Sequence, residues 1–144
     1  MKEFLDEANS KKCFPVASVH YGIERLHYPA SEHMKMFRGF SENYNYVLHG
    51  NHTHSIQGYE KYKEYLFLSS LGNLLFDDVK TTSVKTSVKQ NKETRKTYIV
   101  IIEIKENQLS DYRIVPMQGN DLGELKQDKT VGEELYEYSQ KLEL

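Results

Sequence analysis

Apolar and polar positions along the chain divide it into a helical front, a strand-and-turn middle and a stranded back. Residues 2–10 allow a short helix, and Pro15 separates it from the next segment. Val16, Val19, Ile23, Leu26 and His27 recur at three- and four-residue spacing, which predicts a helix over 16–28. Pro29 ends it. Ser31 with Glu32 marks the start of another helix, turning Met34, Phe37 and Phe40 inward and ending near Glu42. Over 43–50 the period changes to two: Tyr44, Tyr46 and Leu48 alternate with Asn45, Val47 and His49, as on a strand with two faces. Gly50 and Asn51 supply a turn, and 52–56 a short strand that stops at Gly58. The run YEKYKEYLFLSSL then returns to helical spacing through Tyr59, Tyr62, Leu66 and Leu71.

Beyond Gly72 the pattern predicts a meander. One strand covers 78–89, with Val84, Thr86 and Val88 on one face; RKTYIVIIEIK and LSDYRIVPM come next, set off by the polar turns QNKE and KENQ. TVGEELYEYSQKL predicts an amphipathic terminal helix. In TYIVIIEI, Tyr98, Val100, Ile102 and Ile104 share one face while Ile99 and Ile101 occupy the other. A strand apolar on both faces is normally covered on both, so helices on one side and a second copy of the chain on the other are expected, giving a homodimer, although the terminal helix could cover that second face instead. No internal repeat or low-complexity linker interrupts the pattern, so a single domain over 1–144 is expected.

Composition narrows the function classes. A chain of 144 residues can bury a substantial core unaided. Its net charge of −2 argues against nucleic acid and anionic membrane as partners. Lysines gather between 80 and 96, but interleaved Thr and Ser make that stretch read as a solvated sheet edge. The single Cys13 has no disulfide partner and stands beside Pro15 as an inert thiol. The N-terminal residues are charged throughout, unlike a signal peptide, and the most apolar run, 98–102, is far too short to cross a bilayer. A cytoplasmic protein is expected.

Candidate chemistry concentrates in VLHGNHTHSIQG, which holds His49, His52 and His54; the other histidines, His20, His27 and His33, lie upstream. Zinc needs about three or four ligands converging at about 2.0–2.3 Å. On a strand, His52 and His54 would project from one face, and His49 would join them only if the Gly50–Asn51 turn folded it back. A cupin-type His-x-His site would want a glutamate a few residues on, whereas Glu60 comes later, on what reads as a helix. Neither a metal nor a cofactor is therefore assigned, and a metal-dependent site at His49, His52 and His54 stands as a third reading. Histidine is also the commonest general acid or base near neutral pH, which makes His49 a candidate for proton transfer. As ordinary residues, His33 would sit on a solvated face and His27 would favour the last turn of its helix. Eleven tyrosines and no tryptophan are present; Tyr59, Tyr62 and Tyr65 recur on one predicted helix face. Phosphate-loop glycines, Cys-x-x-Cys pairs and Gly-x-Ser-x-Gly elbows are missing from the sequence.

Three stretches, FSENYNYVLHG, HSIQGYEKYKEYL and IEIKENQLSDYRIV, resemble in order and spacing the nuclear transport factor 2-like superfamily, which includes SnoaL-like cyclases, ketosteroid isomerase and scytalone dehydratase. The resemblance covers 16–117 and leaves 118–144 as an extension with the terminal helix. It implies an α+β fold in which a strongly curved, mostly antiparallel sheet is wrapped by N-terminal helices into a cone with an internal pocket. It further implies a small organic ligand and a SnoaL-like isomerase, cyclase or dehydratase that needs no cofactor. His49 would be the base and Tyr112, or else Tyr65, the donor. Tyr65, Tyr62, His27, Val47, Val100, Ile102 and Ile114 would line the pocket. Carboxylates stand at neither position where ketosteroid isomerase has them: His49 takes one and Val100 the other, so steroid isomerisation by that route is not expected. The alternative is a non-catalytic dimeric scaffold with the cone packed shut.

Overall fold

Two-residue alternation, rather than helical spacing, governs the segment after Pro15. In the computed structural model, which describes residues 1–80 and 87–142, Val16–His20 is a strand, β1. Ala17 and Val19 turn toward a core, while Ser18 and His20 stay exposed. The helix expected over 16–28 does not form, and the reason is visible in Val16 (43 % exposed), Ile23 (64 %) and Leu26 (47 %). Their spacing fits a helix, but they share no buried face to drive one.

The order of elements is α1 (Lys2–Ser10), β1, α2 (Ser31–Ser41), β2 (Tyr46–Asn51), β3 (Tyr59–Tyr62), β4 (Tyr65–Leu68), β5 (Val79–Lys80), β6 (Ser87–Val88), β7 (Lys96–Lys105), β8 (Gln108–Gly119), β9 (Leu125–Gln127) and α3 (Lys129–Gln140). The central sheet runs β1-β2-β4-β3, with β1, β2 and β4 parallel and β3 antiparallel at the edge. A second sheet, β7-β8-β9, is antiparallel throughout. The α+β class holds. Where one curved, mostly antiparallel sheet was expected, the described residues form separate sheets, and the central one is mainly parallel.

Each face of the central sheet has its own core. On one, Ala17, Tyr46, Leu48, Tyr65 and Phe67 pack against Leu5 of α1 and Met34 and Phe37 of α2. On the other, Val47, Leu66 and Leu68 meet Tyr98 and Leu109 of the second sheet and Val131 and Leu135 of α3. This two-sided burial explains why YLFL mimics a helix in the sequence: a central parallel strand is apolar on both faces and carries no alternation. The helix expected over 59–71 is instead the β3–β4 hairpin, turned at Lys63, whose φ is 50°.

Other expectations met mixed outcomes. Helices α1, α2 and α3 and strands β2, β7 and β8 fall where the sequence pattern places them. The strand expected over 52–56 is a turn, with only Ile56 bridging to Leu71. The strand expected over 78–89 lies partly outside the described residues, so Val84 and Thr86 receive no placement; on either side, β5 and β6 pair antiparallel. Strand β9 has no counterpart among the expected elements. Outward-facing Ile99 and Ile101 of β7 are exposed, and the expected second copy of the chain remains an expectation.

Helix α3 is fixed at both ends of its contact. Asp128 caps it, accepting from the Val131 N–H at 3.0 Å. Ser139 Oγ accepts from Tyr59 N–H at 3.0 Å, and Gly58 lies so close that a Cβ there would stand 2.7 Å from the Tyr138 and Ser139 backbone. Among the described residues no helix is long and apolar enough to cross a membrane.

Candidate functional site at the carboxyl ends of the parallel strands

Parallel strands end together, and in open α/β sheets ligands bind in the crevice beyond their carboxyl ends. Here β1 ends at His20 and β2 at Asn51, and these two residues are partners in register. His52 comes immediately after. Its ring faces that of His20 with centroids 4.6 Å apart and planes at 60°.

The two loops leaving the strands are tied together. Tyr21 N–H donates to Asn51 O (3.1 Å), and Arg25 N–H to Thr53 O (2.7 Å). Gly22, at φ 106°, lets the first loop pass against Thr53, whose methyl group would lie 2.9 Å from an added Cβ. Buried Thr53 donates to Ser55 O (2.9 Å) and lies 2.8 Å from Ser70 Oγ just past β4. Tyr21 OH reaches Ser69 O at 3.2 Å, and burial holds its phenol proton well above the ordinary tyrosine range.

Backbone strain marks the same turn. His52 has φ 106° and His54 φ 56°, a region that costs a non-glycine residue about 1–3 kcal/mol and persists where the surroundings enforce it. Gly50, just before, is crowded: a Cβ would fall 2.1 Å from Ser69 O and 2.4 Å from the Tyr21 ring. Only glycine lets β2 approach β4 and Tyr21 this closely.

Hydrogen bonding also sets the chemistry of the rings. Nδ1 of His20 pairs with Asn51 Oδ1, and Nδ1 of His54 with Asn73 Oδ1 at 2.8 Å. An amide oxygen only accepts, so in the neutral rings Nδ1 carries the proton and Nε2 keeps its lone pair. Metal-binding histidines are oriented by this kind of outer hydrogen bond. Asn73 is itself anchored, donating to Thr94 O at 2.9 Å. Among the described residues, no group of three or more His, Cys, Asp or Glu converges closely enough to hold a metal ion, so His20 and His52 could furnish a pair of ligands at most.

The residues expected from the sequence are distributed differently. His49 lies on the opposite face of β2 from Leu48, half-buried, with Nδ1 unpartnered, and burial lowers its pKa. Val47, Val100, Ile102, Tyr112 and Ile114 come together in the core between the two sheets. Tyr65 is in the other core, against α2, with its ring between those of Tyr46 and Phe67. His27 stacks on Tyr138 of α3 at 4.9 Å. Tyr62 and Tyr112 line a surface groove with Tyr59. Sequence reasoning singles out His52 but misses its partner His20, along with Asn51 and Asn73. The available signal is a histidine closing each of two apolar strand runs, VASVH before Tyr-Gly and VLHGN before His52.

A family model, described as bacterial capsule synthesis protein PGA_cap, matches residues 1–78 of the 144. The chain belongs to this family. The match contains β1, β2 and the turn bearing His52 and His54, and so the whole strand-end cluster apart from contacts made by Thr94. No curated protein matches the chain. Membership in the PGA_cap family overturns the resemblance to the nuclear transport factor 2-like superfamily. The physical reason is in the pattern: HSIQGYEKYKEYL, which looks like the glycine and helix of a cone, is a turn and an edge hairpin. The SnoaL-like isomerase, cyclase or dehydratase goes with it, and the scaffold alternative gains no support.

Proposed function

We propose that the chain serves the synthesis of a bacterial capsule, and that its working site is the imidazole cluster at the carboxyl ends of β1 and β2. His20 and His52 bind a divalent transition metal there through Nε2. The observation that carries this reading is the placement of His20, whose Nδ1 is engaged by the Asn51 amide while its ring faces His52 at 4.6 Å. Imidazole suits Zn²⁺ and its neighbours in the first transition row. Two protein ligands would leave coordination positions for water and for an oxygen of the substrate, one protein ligand fewer than the three usual at a catalytic zinc. The strained φ of His52 and His54 marks a turn that its surroundings enforce, with His54 held by Asn73 and the Phe76 ring.

Calorimetric titration with Zn²⁺ tests the metal, and capsule formation tests the process. His20→Ala and His52→Ala should each abolish saturable binding, while His27→Ala leaves it intact. In a capsule-forming host, His52→Ala should remove the capsule at unchanged protein level. Wild-type zinc affinity in both strand-end variants, or a normal capsule, would overturn the proposal.

A further inference from the structure

A second site lies elsewhere on the surface and shares no residue with the histidine cluster. A groove of about 730 Å³ runs between the end of α2, strand β3 and helix α3. Four tyrosines line it: Tyr59 and Tyr62 from β3, Tyr112 from β8 and Tyr136 from α3. Tyr59 and Tyr112 meet edge to face at 6.3 Å, so the deeper part of the groove is preformed. Tyr62 and Tyr136 are 39 % and 59 % exposed, and one face of the Tyr62 ring carries the Lys63 ammonium 5.2 Å from its centroid. Rings this exposed on two separate elements contribute little to the core, and an amphipathic ring at a surface is suited to contact.

Charge identifies what would bind. The charged lining residues are Arg38, Lys61, Glu42 and Glu60, two of each sign. Each already has a partner: Arg38 pairs with Glu60, Glu42 with Lys63 at 2.7 Å, and Lys61 lies 4.0 Å from Glu64. A polyanion or polycation would therefore find no net field to steer it. The Gln140 side chain and the exposed edge of the Glu42 carboxylate remain on the wall as hydrogen-bonding groups, whereas Ser139 is spent on Tyr59 N–H and Leu135 O. Tyrosine faces for apolar C–H surfaces, hydrogen-bonding groups for hydroxyls and no uncompensated charge are complementary to a neutral sugar.

We infer that the groove binds a neutral oligosaccharide chain, with pyranose rings resting on Tyr62 and Tyr136. The site is independent of the metal reading and stands or falls separately from it. Gly39 offers a way to block it without removing any native contact: on α2, it borders the groove, and a Cβ there would meet nothing within 4 Å.

The test is an amide NMR titration of the full chain with maltohexaose, cellohexaose and chitohexaose, each to about 10 mM. At least one should shift amides within 38–42, 59–62 and 136–140. Tyr62→Ala/Tyr136→Ala and, separately, Gly39→Phe should weaken binding at least about tenfold, while His52→Ala binds as the wild type does. The proposal is overturned if no saccharide shifts those amides, if shifts map elsewhere, or if a folded Gly39→Phe variant binds unchanged. Occupancy of the groove by a neutral extended peptide pairing with β3, in place of any saccharide, would overturn it equally.

Discussion

Asn51 and His20 end neighbouring parallel strands as partners in register, and the Asn51 side-chain amide meets the His20 ring at Nδ1. Backbone pairing and side-chain orientation thus come from the same two residues. The contact orients the His20 ring, whose centroid lies 4.6 Å from that of His52.

Removing the orienting amide should separate positioning from ligation. Asn51→Ala keeps both imidazoles but frees the tautomer and rotation of His20, with an expected loss of about 10–100-fold in metal affinity. Calorimetry checks the size of the effect, and the pH dependence of binding checks its origin. A variant with wild-type affinity would show that Asn51 serves only the sheet.

His49 predicts a dependence of stability on pH. Burial lowers its pKa in the folded protein below the usual value of about 6.5. Between those two values the unfolded chain holds more protons, so stability is complete above about pH 6.5 and declines as pH falls toward the lowered value. His49→Gln should flatten that part of the curve. Urea midpoints at pH 5 and pH 8 measure it, and equal slopes in wild type and variant would remove His49 from the explanation.

Gly50 is the tightest point beneath the site. Gly50→Ala would drive a methyl group into Ser69 O and the Tyr21 ring, both parts of the packed framework. A loss of about 3 kcal/mol or more is expected from urea unfolding. A change below about 1 kcal/mol would mean that β2 and β4 separate more easily than their packing implies.

Tyr65 should prove to be packing alone. It is fully buried, and its hydroxyl lies by Tyr46, which already donates to Phe37 O at 2.6 Å; Tyr65 OH has no partner of its own at hydrogen-bond geometry. Tyr65→Phe removes an unsatisfied polar atom and keeps the ring, so stability should stay within about 0.5 kcal/mol of wild type or rise. A loss above about 2 kcal/mol would indicate a hydrogen bond to that hydroxyl.

Legibility in the sequence tracks burial. Amphipathic segments with one wet face, α2 and α3, and the long hairpin β7–β8 are readable because period and solvent exposure coincide there. The central sheet is not. Strand β4 is buried on both faces and shows no period, while β1 is five residues long and runs into exposed apolar residues that mimic a helical stripe. Reading those two strands as helices removes the parallel sheet, and with it the place where strand ends converge. His52 can be singled out by density of histidines alone, but His20 lies 32 positions earlier and becomes its neighbour only once β1 pairs with β2. The resemblance to a cone fold arises from the same substitution of helix for strand.

The most direct measurement is a long-range ¹H–¹⁵N spectrum of the histidine rings, recorded before and after addition of Zn²⁺. Before metal, His20 should show the Nδ1–H tautomer; on titration, the Nε2 signals of His20 and His52 should move together, while those of His27, His33 and His49 stay in place. An Nε2–H tautomer at His20, or rings unchanged by zinc, would contradict the account.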